Sequence, residues 1–252
     1  MVAGQISAES HPEAIKAQTI LARTYICRQM EQMGLEEEIP ESSLGLEKNR
    51  NNQMEPLWGT EIFPEYYSRF EKAARETEGV TLTWEGHFID PLFTHTTTGF
   101  TRPGDEEHPY LASVSCVHDP EEEGFVQEMI MQPEEAAKRV SAIPAGDGSF
   151  RTIPPEAFPE QVQIISRDEA GYALQLQIGG FPFNGEEVRL ALGLPSACFE
   201  LNRHGSDVRF TVRGRGHGWG LSQTEAQALA EDGWSAEAIL EYFYTGISFS
   251  SE

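Results

Sequence analysis

Apolar side chains recur near the start of the chain at Ala14, Ile15, Ala17, Leu21, Ala22, Ile26, Met30 and Met33, the spacing of one helix face, with Lys16 and Arg23 toward its edges. Ser10-His11-Pro12-Glu13 fits a capping box ahead of that stripe, and Pro12 falls in the first turn, where its missing N–H costs nothing. A short extended lead-in precedes the helix and carries polar Gln5. Pro64 can open a second helix that packs through Tyr66, Tyr67, Phe70, Ala73 and Ala74 and stops near Gly79. Alternating β-formers in 80–84 and 87–89 flank Glu85-Gly86, which predicts a hairpin. Residues 92–97 form a further strand candidate.

Toward the C-terminus the pattern predicts strands over 161–166 and 172–178 about the turn 168–171, then a short helix from Glu187 to Ala191. Strands over 198–201 and 208–212 pair about His204-Gly205-Ser206. The second of these runs into Arg213-Gly214-Arg215-Gly216-His217-Gly218-Trp219-Gly220, and Ser222-Gln223-Thr224-Glu225 then caps a helix that ends at Gly233. Ser235 caps a last helix closed by Gly246. Residues 35–52 and 101–125 read as loops, and 126–160 mixes helix and loop signals. No internal repeat or linker breaks the chain. The expected architecture is α+β: one domain over 1–252, helices at both ends, antiparallel β-hairpins, and a substrate groove between the first helix and the glycine loop.

The glycine loop fails as a nucleotide site. The spacing G-x-G-x-x-G would need glycine at Trp219 or Leu221, and there is no G-x-x-x-x-G-K. Alternating glycines instead imply unusual φ values or a backbone closely approached by something. That something is either another element of the protein or a ligand, with His217 supplying a hydrogen-bonding ring and Trp219 a stacking plane for a sugar face.

Composition narrows the function. With 252 residues, 39% hydrophobic and 10% aromatic, the chain can bury a core. Its formal charge of −23 argues against nucleic-acid backbones and anionic lipid surfaces as partners. Cys27, Cys116 and Cys198 are far apart and form no zinc-binding pair, and Cys27 reads as a small buried hydrophobe. No cofactor or metal is implied. No run approaches a membrane span, and Met1 standing directly before a structured segment implies N-terminal trimming.

Four stretches together resemble the stage II sporulation protein D family of peptidoglycan lytic transglycosylases. VAGQISAESHPEAIKAQTILARTY matches the family's VxxEMPxxxxxEALKAQAxAARTY without gaps. FTHTTTGFT (Phe93 to Thr101) and Pro109-Tyr110-Leu111-Ala112-Ser113-Val114 resemble FHSTSGGxT and PYLxSV. Residues 192–199 resemble LGLRSTxF, and VRGRGHGWGLSQTEA (Val212 to Ala226) resembles GRGWGHGVGMSQYGA. The loops around 35–60 and 120–160 are uncovered.

The resemblance implies cleavage of the MurNAc–GlcNAc bond in glycan strands stripped of stem peptides, leaving 1,6-anhydro-MurNAc ends. A carboxylic acid would protonate the leaving oxygen and then take the proton of the sugar's own 6-hydroxyl, so a second carboxylate is not needed. The family's catalytic Glu falls on Gln5, an amide that cannot exchange that proton. The chain in this form is therefore expected to be inactive. Either Gln5 is an engineered replacement, which the trimmed start favours, or it is natural and the protein is a non-catalytic glycan-binding or complex-forming module. Glu9 is a weaker alternative acid, since a charge near a helix N-terminus is favoured in any case.

The resemblance also assigns Lys16 and Tyr110 to the catalytic site and Arg23, His217, Ser222 and Gln223 to substrate binding. No role carries to His95, because Thr94-His95 disorders the FHST match. The metal-binding segment of some relatives has no counterpart, Pro56-Leu57-Trp58-Gly59-Thr60 standing instead. Implied partners are peptidoglycan glycan strands, an amidase and a membrane scaffold of an engulfment complex, with an extracytoplasmic, cell-wall-facing location and membrane anchoring in full-length relatives.

Overall fold

The structure, a computed structural model, describes residues 1–35, 38–40, 44 and 58–251. Most of the segment read as a solvated loop, 35–52, lies outside these, as do Pro56 and Leu57. The helices are α1 (Pro12–Met33), α2 (Phe63–Glu76), α3 (Pro133–Ser141), α4 (Gly185–Leu192), α5 (Gln223–Glu231) and α6 (Ala236–Phe243). The strands are β1 (Val80–Trp84), β2 (His87–Phe88), β3 (Phe93–Thr94), β4 (Val126–Met131), β5 (Val162–Arg167), β6 (Ala173–Ile178), β7 (Phe181–Asn184), β8 (Phe199–His204), β9 (Asp207–Arg213), β10 (Leu221–Ser222) and β11 (Ser248–Ser251). Mixed helix and antiparallel sheet make the fold α+β. The chain divides into two compact units: Met1–Phe93 with Pro103–Ala112 and Glu225–Glu252, and Thr94–Arg102 with Ser113–Thr224.

In the first unit α1 is buried on nearly all sides over its first half, where Ala14, Ile15, Ala17, Ile20 and Leu21 are at most 2% exposed. The pattern implied a stripe; α2, β1 and α6 instead pack around the helix. Its N-cap is His11, not Ser10: the Nδ1 of His11 accepts from the N–H of Glu13. Pro12 explains the change, because a residue before proline is pushed to extended backbone, and His11 holds φ −58°, ψ 141°. On α2, Phe70 and Ala73 are buried as expected, while Ala74 is exposed. Strands β1 and β2 pair through Trp84 and His87 about Glu85 and Gly86, both at positive φ (49° and 85°), the turn that an X-Gly connection predicts. Strand β11 completes the three-stranded sheet against β1, so the described chain closes on a strand. The last helix stops at Phe243, before Gly246.

In the second unit two three-stranded antiparallel sheets, β4-β9-β8 and β5-β6-β7, share an apolar core with α3 and α4 that includes Val140, Ile178, Val188, Phe199 and Phe210. The β5-β6 and β8-β9 hairpins fall where the pattern placed them. The 92–97 strand shrinks to Phe93–Thr94 plus a bridge from Thr96 to Arg215.

Candidate functional site

Gln5 follows a single 3-10 turn, Val2–Gly4, and its N–H closes that turn on the Val2 carbonyl. The lead-in is pinned by packing and by a clamp. Val2, Ala3 and Ile6 pack on a cluster of Ala8, Ile15, Phe70 and Ala73. Arg69 of α2 donates to the carbonyls of Ala8 and Ser10. Position 5 is thereby held half-buried beside α1. There the fully buried Gln18 donates its Nε2 to the Oε1 of Gln5 at 3.1 Å. A carboxyl group at position 5 would meet the same donor.

Lys16 stands 2.7 Å from Glu13 and 2.8 Å from Glu76, tying α1 to α2. Hydrogen bonds to Glu13 and then Glu76 hold its ammonium above the usual lysine range. Burial pushes the Glu13 carboxyl up, but the Lys16 contact and the Ala236 N–H outweigh it, and the net shift is down. Tyr110 is 5% exposed, and its hydroxyl accepts from the N–H of Asp90 at 2.8 Å. Burial pushes that phenol up, so it stays protonated through neutral pH. Arg23 donates to the carbonyls of Val80 and Ala74 and to the Thr77 hydroxyl, bracing α1 on the end of α2 and the start of β1. Glu9, the alternative acid, is exposed and accepts from the Tyr66 hydroxyl at 2.6 Å.

The glycine loop lies in the second unit. Its glycines answer to the protein's own packing: a Cβ on Gly216 would sit 2.0 Å from the Thr94 hydroxyl, and one on Gly218 would sit 2.4 Å from the Tyr172 ring, with φ at 114° and 86°. Gly218→Ala is therefore expected to destabilise the protein by about 2–4 kcal/mol, from positive-φ strain and overpacking together, readable as a lowered thermal midpoint. A midpoint unchanged within error would show that the loop has room to shift. The backbone N–H of Trp219 donates to His217 Nδ1 at 3.1 Å, which leaves the proton of a neutral His217 ring on Nε2. The guanidinium of Arg102 lies 3.7 Å from the Trp219 ring centre, so the indole face read as a sugar platform already carries a cation. Ser222 is fully buried, and its hydroxyl lies 2.8 and 2.9 Å from the carboxylate oxygens of Asp119, to which it donates. Gln223 is half-buried at the first position of α5.

Four organising residues escaped the sequence reading. Gln18 was detectable, since it occupies a helical-stripe position with Ile15 and Ala22 on either side. Arg69 looks like any charge on an amphipathic helix. Asp119, fully buried, accepts from the Thr97 N–H at 2.5 Å as well as from Ser222, and lies in a Pro/Glu-rich stretch that reads as solvent-facing. Arg102 is 3% exposed between Thr101 and Pro103, again in a loop-like stretch.

A family model described as SpoIID, Stage II sporulation protein, matches residues 1–84, the stretch that contains the lead-in, α1, α2 and β1. Over 99% of its length the chain is 29% identical to Stage II sporulation protein D of Bacillus subtilis (strain 168), and 27% identical to the protein of that name from Bacillus amyloliquefaciens, covering 72% of each. The match over residues 1–84 and the 27–29% identity over nearly the whole chain support the stage II sporulation protein D family. It is also 22% identical over 289 aligned residues to a Bacillus subtilis protein named Amidase enhancer, covering 95% of the chain and 38% of that protein.

Proposed function

We propose that the chain is a peptidoglycan lytic transglycosylase scaffold that binds peptide-stripped glycan strands and is arrested at position 5. The observation that carries this reading is the setting of Gln5, a half-buried side chain whose oxygen is held by a buried amide donor on a pinned lead-in. A proton-exchanging carboxyl group would be oriented well there, while an amide keeps the shape and lacks the proton. The reaction breaks the C1–O4 bond as the acid protonates O4. The sugar's 6-oxygen bonds to C1, and its proton returns to the carboxylate. Lys16, Tyr110, Arg23, His217, Ser222 and Gln223 are kept as site residues on the family resemblance. The contacts of Arg23 and Ser222 favour action through support of the backbone rather than through touching sugar. The partners proposed are glycan strands, an amidase and a membrane scaffold, and the proposed location is cell-wall-facing. The name of the Amidase enhancer relative is compatible with the amidase.

The same amide favours a second reading, a glycan-binding module with no catalytic role at all. Both readings expect the unaltered chain to co-sediment with peptide-stripped glycan strands and to leave their length distribution unchanged. Shortening of strands by the unaltered chain, or failure to bind them, would count against both.

A further inference from the structure

A cavity of about 270 Å³ in the second unit is lined by His95, Thr96, Glu122, Glu123, Phe125 and Arg215, among others, and has no part in the chemistry at position 5. Its floor is wired by hydrogen bonds. The carbonyl of His95 accepts from both the N–H and the hydroxyl of Thr224, each at 3.1 Å. With its proton so used, the Thr224 hydroxyl receives that of Thr96, 3.0 Å away. The Thr96 oxygen then accepts from His95 Nδ1 at 2.8 Å. The chain of donors puts the imidazole proton on Nδ1 and leaves Nε2 as an acceptor. Burial, with Arg215 adding to it and Glu122 opposing, holds the ring below the ordinary histidine range, so it is neutral at neutral pH.

A neutral acceptor ring, two carboxylates and one guanidinium around a single small cavity match a ligand bearing both an ammonium and a carboxylate. We propose that this cavity binds a short zwitterionic peptide through both of its charged termini, with the ammonium on His95 Nε2 and Glu122 and the carboxylate on Arg215. Glu123 adds a second negative charge to the cavity lining. Arg215 is suited to the carboxylate because its planar fork can donate two parallel hydrogen bonds. The inference stands apart from the activity proposed at position 5, because every residue in it belongs to the second unit.

The test is titration of the full chain, labelled with 15N-histidine, with alanyl-alanine in its L,L and D,D forms. Saturable shifts of the His95 ring signals are expected, from a free-state spectrum with the proton on Nδ1. Blocking the peptide's amine by acetylation, or its carboxylate by amidation, should each weaken binding about tenfold, as should Arg215→Gln or Glu122→Gln. Binding should also weaken as pH falls through the His95 transition, because an imidazolium repels the ammonium beside Glu122, Glu123 and Arg215. Preference for the D,D form would point to cell-wall peptides and equal binding to peptides in general; both support the site. No shift at millimolar peptide, equal binding of the blocked peptides, or a proton found on Nε2 would overturn it. Exposed Arg215 and Glu122 can be changed without disturbing the fold, and the dispersion of the spectrum reports whether that holds.

Discussion

Replacing Gln5 by Glu is expected to raise the rate of glycan-strand cleavage by about 10²–10⁴-fold over the unaltered chain, the usual contribution of a placed general acid. The substitution exchanges an NH₂ for an oxygen and leaves the carbon skeleton alone. The accepting oxygen at position 5 already has its donor, Gln18 Nε2 at 3.1 Å, and the new carboxyl group keeps that hydrogen bond. Two effects then oppose each other on its pKa. Half-burial disfavours the charged form and raises it, while donation from Gln18 favours the charged form and lowers it. The acid must begin protonated, so activity falls as pH rises through that pKa. Cleavage is measured as new strand ends per unit time. A folded Gln5→Glu protein that binds strands but makes no new ends would leave the glycan-binding module as the better reading.

The largest loss of stability is expected from Arg102→Met. Arg102 is 3% exposed and donates to Asp168 at 2.6 Å, to Glu186 at 3.0 Å and to the His217 carbonyl at 3.2 Å. Its guanidinium also lies against Trp219 and, at 4.8 Å, Tyr172. Methionine fills much of the volume but strips one partner from two carboxylates whose side chains are only 12% and 22% exposed, leaving Asp168 the Tyr172 N–H and Glu186 the Arg189 guanidinium. Removing one partner of a buried charge cluster costs about 3–5 kcal/mol, because the charges left behind, Asp168 above all, are desolvated with less compensation. For a chain of this size that corresponds to a fall in thermal midpoint on the order of 10 °C. Arg102→Lys should fall in between, since it keeps the charge and loses the fork and the stacked plane. A loss below about 0.5 kcal/mol for Arg102→Met would mean that water reaches Asp168 and Glu186 and that the cluster organises nothing.

These two residues show what the sequence made legible. Position 5 stood out because a motif with fixed spacing runs through it and α1, and local signals such as Pro12 and Glu85-Gly86 placed the elements around it. Even there the helix cap moved by one residue, since the rule for residues before proline outranked the Ser/Glu pair. Arg102 stood out in no way. A charged side chain in a stretch of Pro, Gly and Glu reads as solvated, and only tertiary contacts bring Asp168, Glu186 and the glycine loop to it. The same holds for Asp119, which gathers Thr97 and Ser222 from distant parts of the chain. Strands β7 and β11 were missed for local reasons. Pro182 interrupts the first, and the second is a short, serine-rich run after Gly246. The glycines were correctly read as a close approach, but the approaching groups, Thr94 and Tyr172, belong to the protein itself.

The most direct test of the account is the fate of solvent oxygen when the Gln5→Glu protein cuts peptide-stripped strands in water enriched in ¹⁸O. If the 6-hydroxyl of the sugar is the attacking group, mass spectra will show 1,6-anhydro ends that carry no ¹⁸O. New reducing ends labelled with ¹⁸O would show that water attacks and that the chain is built for hydrolysis, contradicting the transglycosylase reading.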